Sequence, residues 1–179
     1  MSVFSNPASG APEHARAYVD AVLGLVEDRD RLEILRTSPA WFADAVTGLE
    51  EAALLRPEAP GKWSIGQVLQ HLADSELVWG YRLRRILSED RPTLHGFDQD
   101  AWADALDYAT GDAQLALDVF RALRSVHVRL LERAGPDALR RVGVHAERGE
   151  ESLDHLVSLY AGHDLAHRRQ VERIRALYA

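Results

Sequence analysis

Two short stretches concentrate the side chains that do chemistry: "HLADSE" at 71–76 and "HDLAH" at 163–167. Both lie inside runs whose apolar residues recur at helical spacing. His163 and His167, at i and i+4, stand one turn apart on one face, so both rings can address a single point. Neutral imidazole is the commonest metal ligand at physiological pH, and such a pair is the arrangement of many zinc-binding helices. Taken alone, the pair more often describes two partly exposed or hydrogen-bonded histidines at a helix edge. His71, on the flank of a second apolar stripe, is the third imidazole that a metal site would need. Glu76 and Asp164 fall in the middle of apolar stripes, where a carboxylate must be paired, hydrogen-bonded or near a cation. About 140° separates His71 from Glu76 on an ideal helix, which disfavours the two as ligands of one ion. Glu76 and Asp164 are therefore candidates for orienting a ligating imidazole or handling a proton. The competing assignment is a salt bridge to an arginine such as Arg168. The chain has no cysteine, so neither a thiolate ligand, a disulfide nor a cysteine nucleophile is available to it.

Helices must position these residues. Residues 1–12 are small, polar and proline-bearing and are expected to form a tail ahead of one domain spanning 13–179. Val19, Val22, Leu23 and Val26 follow the i, i+3, i+4, i+7 rule. Ser38 followed by Pro39 reads as a cap and a first-turn proline, opening a short helix or a kinked continuation over 39–49. Beyond the loop at 56–63, Ser64 and Gln67 form a capping-box pattern. It starts a helix predicted from about Ile65 to Leu87, with Leu69, Leu72, Trp79, Leu83 and Ile86 on its buried face. A short helix is expected over 98–107 and a long one over 112–134, with Leu115, Val119, Ala122, Val126 and Leu130 as its stripe. Residues 136–151 read as irregular, with Val142 to His145 briefly extended, and the last helix starts near Ser152. Four substantial helical regions with little strand signal predict an all-α fold, a four-helix bundle.

The 179 residues suffice for one domain with a substantial core. A formal net charge of −7 argues against a non-specific nucleic-acid binder. No run reaches the ~18–20 apolar residues that span a bilayer, so no membrane association is expected. The first residues lack the basic and apolar regions of a signal peptide, and a cytoplasmic protein is the expectation. His127 reads as a packed core histidine, and His95 as a solvated loop residue unless it lines a pocket mouth. Trp41, Trp63, Trp79 and Trp102 read as helix-packing residues.

"GKWSIGQVLQHLADSE" followed by "LVSLYAGHDLAHRRQVERI", with "GVHAERGEESL" between them, resembles the DinB/YfiT-like superfamily from about residue 28 onward. The resemblance implies a four-helix bundle with a crossover connection, often assembled as a homodimer. It also implies a divalent metal held by one histidine of the second helix and two of the last, which fall on His71, His163 and His167. His145 becomes a substrate-side candidate only through this resemblance. Members include transferases that use a low-molecular-weight thiol such as bacillithiol or mycothiol, a thiol-dependent isomerase, and candidate metal hydrolases. The expectation is thus a metal-dependent thiol transferase or hydrolase acting on a small molecule. The alternative is a non-catalytic, metal-stabilised stress or interaction module. Zinc is the first choice of metal, with nickel, iron or manganese as alternatives, because imidazole suits several of them. A cofactor thiol would supply the sulfur that a cysteine-free chain lacks.

Overall fold

In the computed structural model, which describes residues 12–178, the chain is built mainly of helices. They are α1 (Pro12–Val26), α2 (Arg31–Val46), a single turn α3 (Glu51–Leu54), α4 (Ile65–Ser88), α5 (Gln99–Ala105), α6 (Ala113–Ala134) and α7 (Leu153–Arg175). The expected tail lies outside the described residues, apart from Pro12, which opens α1.

Four long helices close a ring: α4 packs on α6, α6 on α2, α2 on α7 and α7 on α4. The links from α2 to α4 and from α6 to α7 therefore join opposite corners, which is the crossover expected of the bundle. α1 packs outside the ring against α7. The approach is close because Gly162 has no side chain. A Cβ there would come within 2.2 Å of the Val22 carbonyl oxygen. Two apolar clusters fill the interior, one around Trp79, Leu83 and Leu156 and the other around Phe42, Leu69 and Phe120.

α4 begins as its sequence dictates. Ser64 Oγ accepts from the Gln67 N–H, and the Gln67 side chain accepts in return from the Ser64 N–H at 2.9 Å. α2 departs from expectation. Its cap is Asp30, whose carboxylate accepts from the N–H groups of Leu32 and Glu33. Ser38 is no cap but a buried residue inside the helix, its hydroxyl donating to the Ile34 carbonyl. Pro39 thus sits mid-helix and lacks the N–H that would bond the Leu35 carbonyl. The Arg124 guanidinium takes that place at 3.1 Å, so tertiary structure makes the internal proline tolerable.

α6 is rotated relative to the prediction. Leu115, Val119 and Val126 are exposed, and the buried face carries Leu117, Phe120, Arg124, His127, Val128 and Leu131. A face interrupted by a cation and an imidazole does not read as a core stripe. The segment taken as irregular also has structure. Strands β1 (Thr93–Leu94), β2 (Val142–His145) and β3 (Gly149–Ser152) form a small sheet, β1 parallel and β3 antiparallel to β2. Gly143 in β2 faces the side chains of Leu94 in β1 and of Ile86 on α4, so this sheet seats against α4 and brings His145 and Arg148 to the end of the bundle.

Candidate metal centre

His71 projects from α4, and His163 and His167 from successive turns of α7. His71 is 2% and His167 9% exposed, and His163 is half-buried. The Nε2 atom of His163 lies 3.0 Å from Nε2 of His71 and 3.2 Å from Nε2 of His167. The three side chains the sequence singled out therefore converge on one point through the same ring atom, and they form a group capable of holding a metal ion.

Three imidazole nitrogens at this spacing suit a cation. Ligands of a tetrahedral ion with bonds of about 2.0–2.1 Å stand about 3.3 Å apart. The rings do not relieve their mutual repulsion by taking protons. Burial holds the pKa of His71 well below the ordinary imidazole value, and His167 adds to the effect. Burial does the same for His163, followed by His167 and His71. His167 is also lowered by burial, partly offset by its bond to Gln170 and by Asp164. A single proton could bridge at most one pair of these nitrogens, whereas a cation at the centre satisfies three lone pairs together. Nδ1 of His167 faces Gln170 Oε1 at 2.8 Å. That acceptor places the proton on Nδ1 and aims the Nε2 lone pair at the centre. Trp63 stands beside His71, ring centroids 5.1 Å apart, so it walls the site besides preceding the α4 cap.

Glu76 and Asp164 do not hydrogen-bond to these imidazoles. Both meet Arg124, which projects from α6 and is 2% exposed. Arg124 donates to Glu76 Oε1 from Nε at 3.0 Å and from Nη2 at 2.7 Å. It donates to Asp164 from Nη1 at 2.5 Å and Nη2 at 3.0 Å. His127 Nδ1 lies 2.8 Å from the second oxygen of Glu76. The buried-arginine assignment is the one the geometry supports, with Arg124 rather than Arg168 as partner. Arg168 instead donates to Ser38 and the Ile34 carbonyl. Burial alone would lower the Arg124 pKa, but Asp164 and Glu76 outweigh it and hold the guanidinium above its ordinary value. Two carboxylates thus face one guanidinium, with the His127 imidazole on the second oxygen of Glu76.

A narrow cleft with about 70 Å³ of free space, open to solvent, runs from His71 and His163 along α4. His71 and His163 line it together with Ser75, Arg82, Tyr160 and Arg148. Ser75 Oγ lies 3.4 Å from His71 Nε2. His145 is buried behind the cleft, its Nδ1 accepting from the Glu147 N–H. His95 is exposed and contributes its backbone carbonyl, which accepts from Arg82. Sequence reasoning passed over Arg124 and Gln170, and saw Arg82 only as part of a small basic patch with Arg84 and Arg85. Gln170 was visible as the residue one turn beyond His167, whereas Arg82 and Arg124 read as ordinary surface charges until the packing is known.

The family model of the DinB superfamily matches residues 34–171, more than half of the chain. YfiT of Bacillus subtilis, provisionally named a metal-dependent hydrolase, is 28% identical over 143 residues, 79% of this chain and 80% of that protein. A relative with the same provisional description from Geobacillus kaustophilus is 31% identical over 150 residues, 83% of this chain and 84% of its own length. The solved structure of YfiT, described as a four-helix bundle of unusual topology, matches with a TM-score of 0.77 at 25% identity, over 83% of this chain and 85% of that one.

Proposed function

This chain belongs to the DinB superfamily, and from that premise we propose that it is a metal-dependent enzyme acting on a small molecule, with His71, His163 and His167 as its metal ligands. The observation that carries the reading is the convergence of three neutral Nε2 atoms, His163 lying 3.0 and 3.2 Å from the other two, beside an open cleft that His71 and His163 line. A divalent ion there, zinc before nickel, iron or manganese, supplies Lewis-acid polarisation and a means of ionising water or a thiol near neutral pH. Three protein ligands leave room for that chemistry, as a closed four-ligand structural site does not.

The chain's own residues do the remaining work. Gln170 fixes the tautomer of His167. The Asp164 carboxylate, between His163 and His167 on α7, favours positive charge at His167 and so at the site. Trp63 and Phe97 flank His71 and shield it from bulk solvent. The reaction is hydrolysis, with water cleaving an ester or amide, or transfer, with a low-molecular-weight thiol such as bacillithiol displacing a leaving group as the C–S bond forms. Protein freed of metal and reloaded with Zn²⁺, Ni²⁺ or Mn²⁺ is expected to turn over at least one of a panel of esters, amides and electrophiles, with or without bacillithiol. Turnover should vanish on chelation. Absence of turnover across that whole matrix overturns the reading.

Gln170→Leu tests the ligand arrangement separately. Loss of the acceptor on Nδ1 of His167 is expected to weaken metal binding about 10- to 100-fold, measured by competition with a chromophoric chelator. Unchanged affinity would remove Gln170 from the site.

A further inference from the structure

Arg82 is an unusual residue for the wall of a cleft. It is only 7% exposed, and among the described residues no carboxylate pairs with it. Its Nη2 donates to the His95 carbonyl and lies 3.5 Å from His145 Nε2. Its Nε is buried and makes no hydrogen bond. A guanidinium stays ionised in any protein environment, so burying one without a counter-charge is costly unless something completes it. Arg124 shows the contrast, enclosed by two carboxylates.

The neighbours of Arg82 do not balance its charge. Arg148, on the same cleft, is already committed to Glu151 through two contacts at 2.5 and 2.9 Å. His145 is neutral, its pKa pushed down to about 4 by burial and then by Arg148 and Arg82. The Tyr160 hydroxyl is neutral as well, its pKa raised by burial. Two guanidiniums and one carboxylate thus leave a formal excess of one positive charge. The rest of the wall is largely apolar, with Val19, Phe97, Leu156 and Leu159.

Arg82 also has the right placement. His71, Ser75 and Arg82 stand at i, i+4 and i+11 on α4, which puts them on one face. Arg82 lines the same cleft as His71 and His163, its guanidinium held at the cleft wall by the His95 carbonyl.

We propose that Arg82 anchors a carboxylate of the substrate. The substrate class is then a small amphipathic monoanion, with its apolar body along the cleft and its reacting group at the three imidazoles. The inference rests on the reading of this cleft as the substrate site of a metal-dependent enzyme. A single uncompensated positive charge matches a carboxylate rather than a phosphate dianion, and a guanidinium pairs a carboxylate through two parallel hydrogen bonds.

The test measures binding of hexanoate and octanoate by ligand-observed NMR, with hexanamide and octanamide as uncharged matches and hexyl phosphate as the dianion. It is run on zinc-loaded protein and on protein stripped with chelator. The acids are expected to bind at least about ten-fold more tightly than the amides, in both preparations. Arg82→Gln is expected to abolish that preference with metal content unchanged, and Arg82→Lys to retain part of it. If Arg82→Gln fails to fold, the acid–amide comparison on the unaltered chain decides. Equal binding of acid and amide, no binding of either acid, an undiminished preference in Arg82→Gln, a preference lost with the metal, or tighter binding of hexyl phosphate overturns the proposal. Metal content is read in the same samples, so failure of the metal centre is separable from failure of the anion subsite.

Discussion

Purified protein is expected to carry about one divalent ion per chain, and the double variant His163→Ala/His167→Ala to carry almost none. The reason is geometric. His163 Nε2 is the shared neighbour, 3.0 Å from His71 and 3.2 Å from His167, so the double variant leaves His71 with no second nitrogen. A lone imidazole does not retain an ion through purification. The measurement is elemental analysis of gently purified protein, with circular dichroism to establish that the helices persist. The bundle should survive, because its main apolar clusters lie around Trp79 and Phe120 rather than around the imidazoles. Metal content equal to that of the unaltered chain would show that these residues are not the ligands.

The second large effect concerns Arg124. Its replacement by methionine is expected to destabilise the fold by about 3–5 kcal/mol, the cost of stranding buried charges that have lost their partner. For a chain of this size, that corresponds to a fall in Tm of roughly 6–20 °C. Glu76 and Asp164 are 1% and 0% exposed, so no water reaches them when the guanidinium is gone. The Leu35 carbonyl, left free by Pro39, loses its donor at the same time. The triple variant Arg124→Met/Glu76→Gln/Asp164→Asn should recover much of the loss, since it removes the stranded charges as well as the cation. Thermal unfolding of the two variants side by side distinguishes this from simple loss of packing volume, for which the triple variant would be no better than the single one. A single variant that melts within a degree or two of the unaltered chain would mean that the cluster adds nothing to stability.

The stability result bears on function because the cluster is built from the same helices as the candidate metal centre. Glu76 is five residues from His71 on α4, and Asp164 lies between His163 and His167 on α7. Arg124 ties those helices together from the opposite side, through α6. Glu76 and Asp164 thus act on the imidazoles through the position of the helices and through charge, rather than by hydrogen-bonding to a ligand ring.

Much of this was legible in the chain. The capping box at Ser64 and Gln67 set the start of α4 within one residue, and with it the phase of His71. The spacing of His163 and His167 placed both on one face of α7, because helical periodicity is a local property. The same periodicity identified Glu76 and Asp164 as carboxylates in apolar surroundings and so demanded a partner for them. It misjudged the stripe of α6, where Phe120, Arg124 and Leu131 form the buried face together with His127, the histidine that did read as packed core. Hydropathy ranked the apolar row through Leu115, Val119 and Val126 above it. It also missed α2 before Pro39, since a proline inside a helix is tolerated only when some other group satisfies the carbonyl it frees. The β-hairpin at 142–152 was only partly foreseen, because short strands are defined by pairing partners distant in the chain.

Local sequence therefore determined where the helices of the site begin, which way His71, His163 and His167 face, and that two carboxylates would be buried. The choice of Arg124 over Arg168 as their partner, the meeting of the three Nε2 atoms at one point, and the isolation of Arg82 without a counter-ion were decided by tertiary structure alone. Periodicity fixes a side chain's angle about its own helix. Which charge it meets depends on how neighbouring helices are arranged and rotated, and no single helix encodes that.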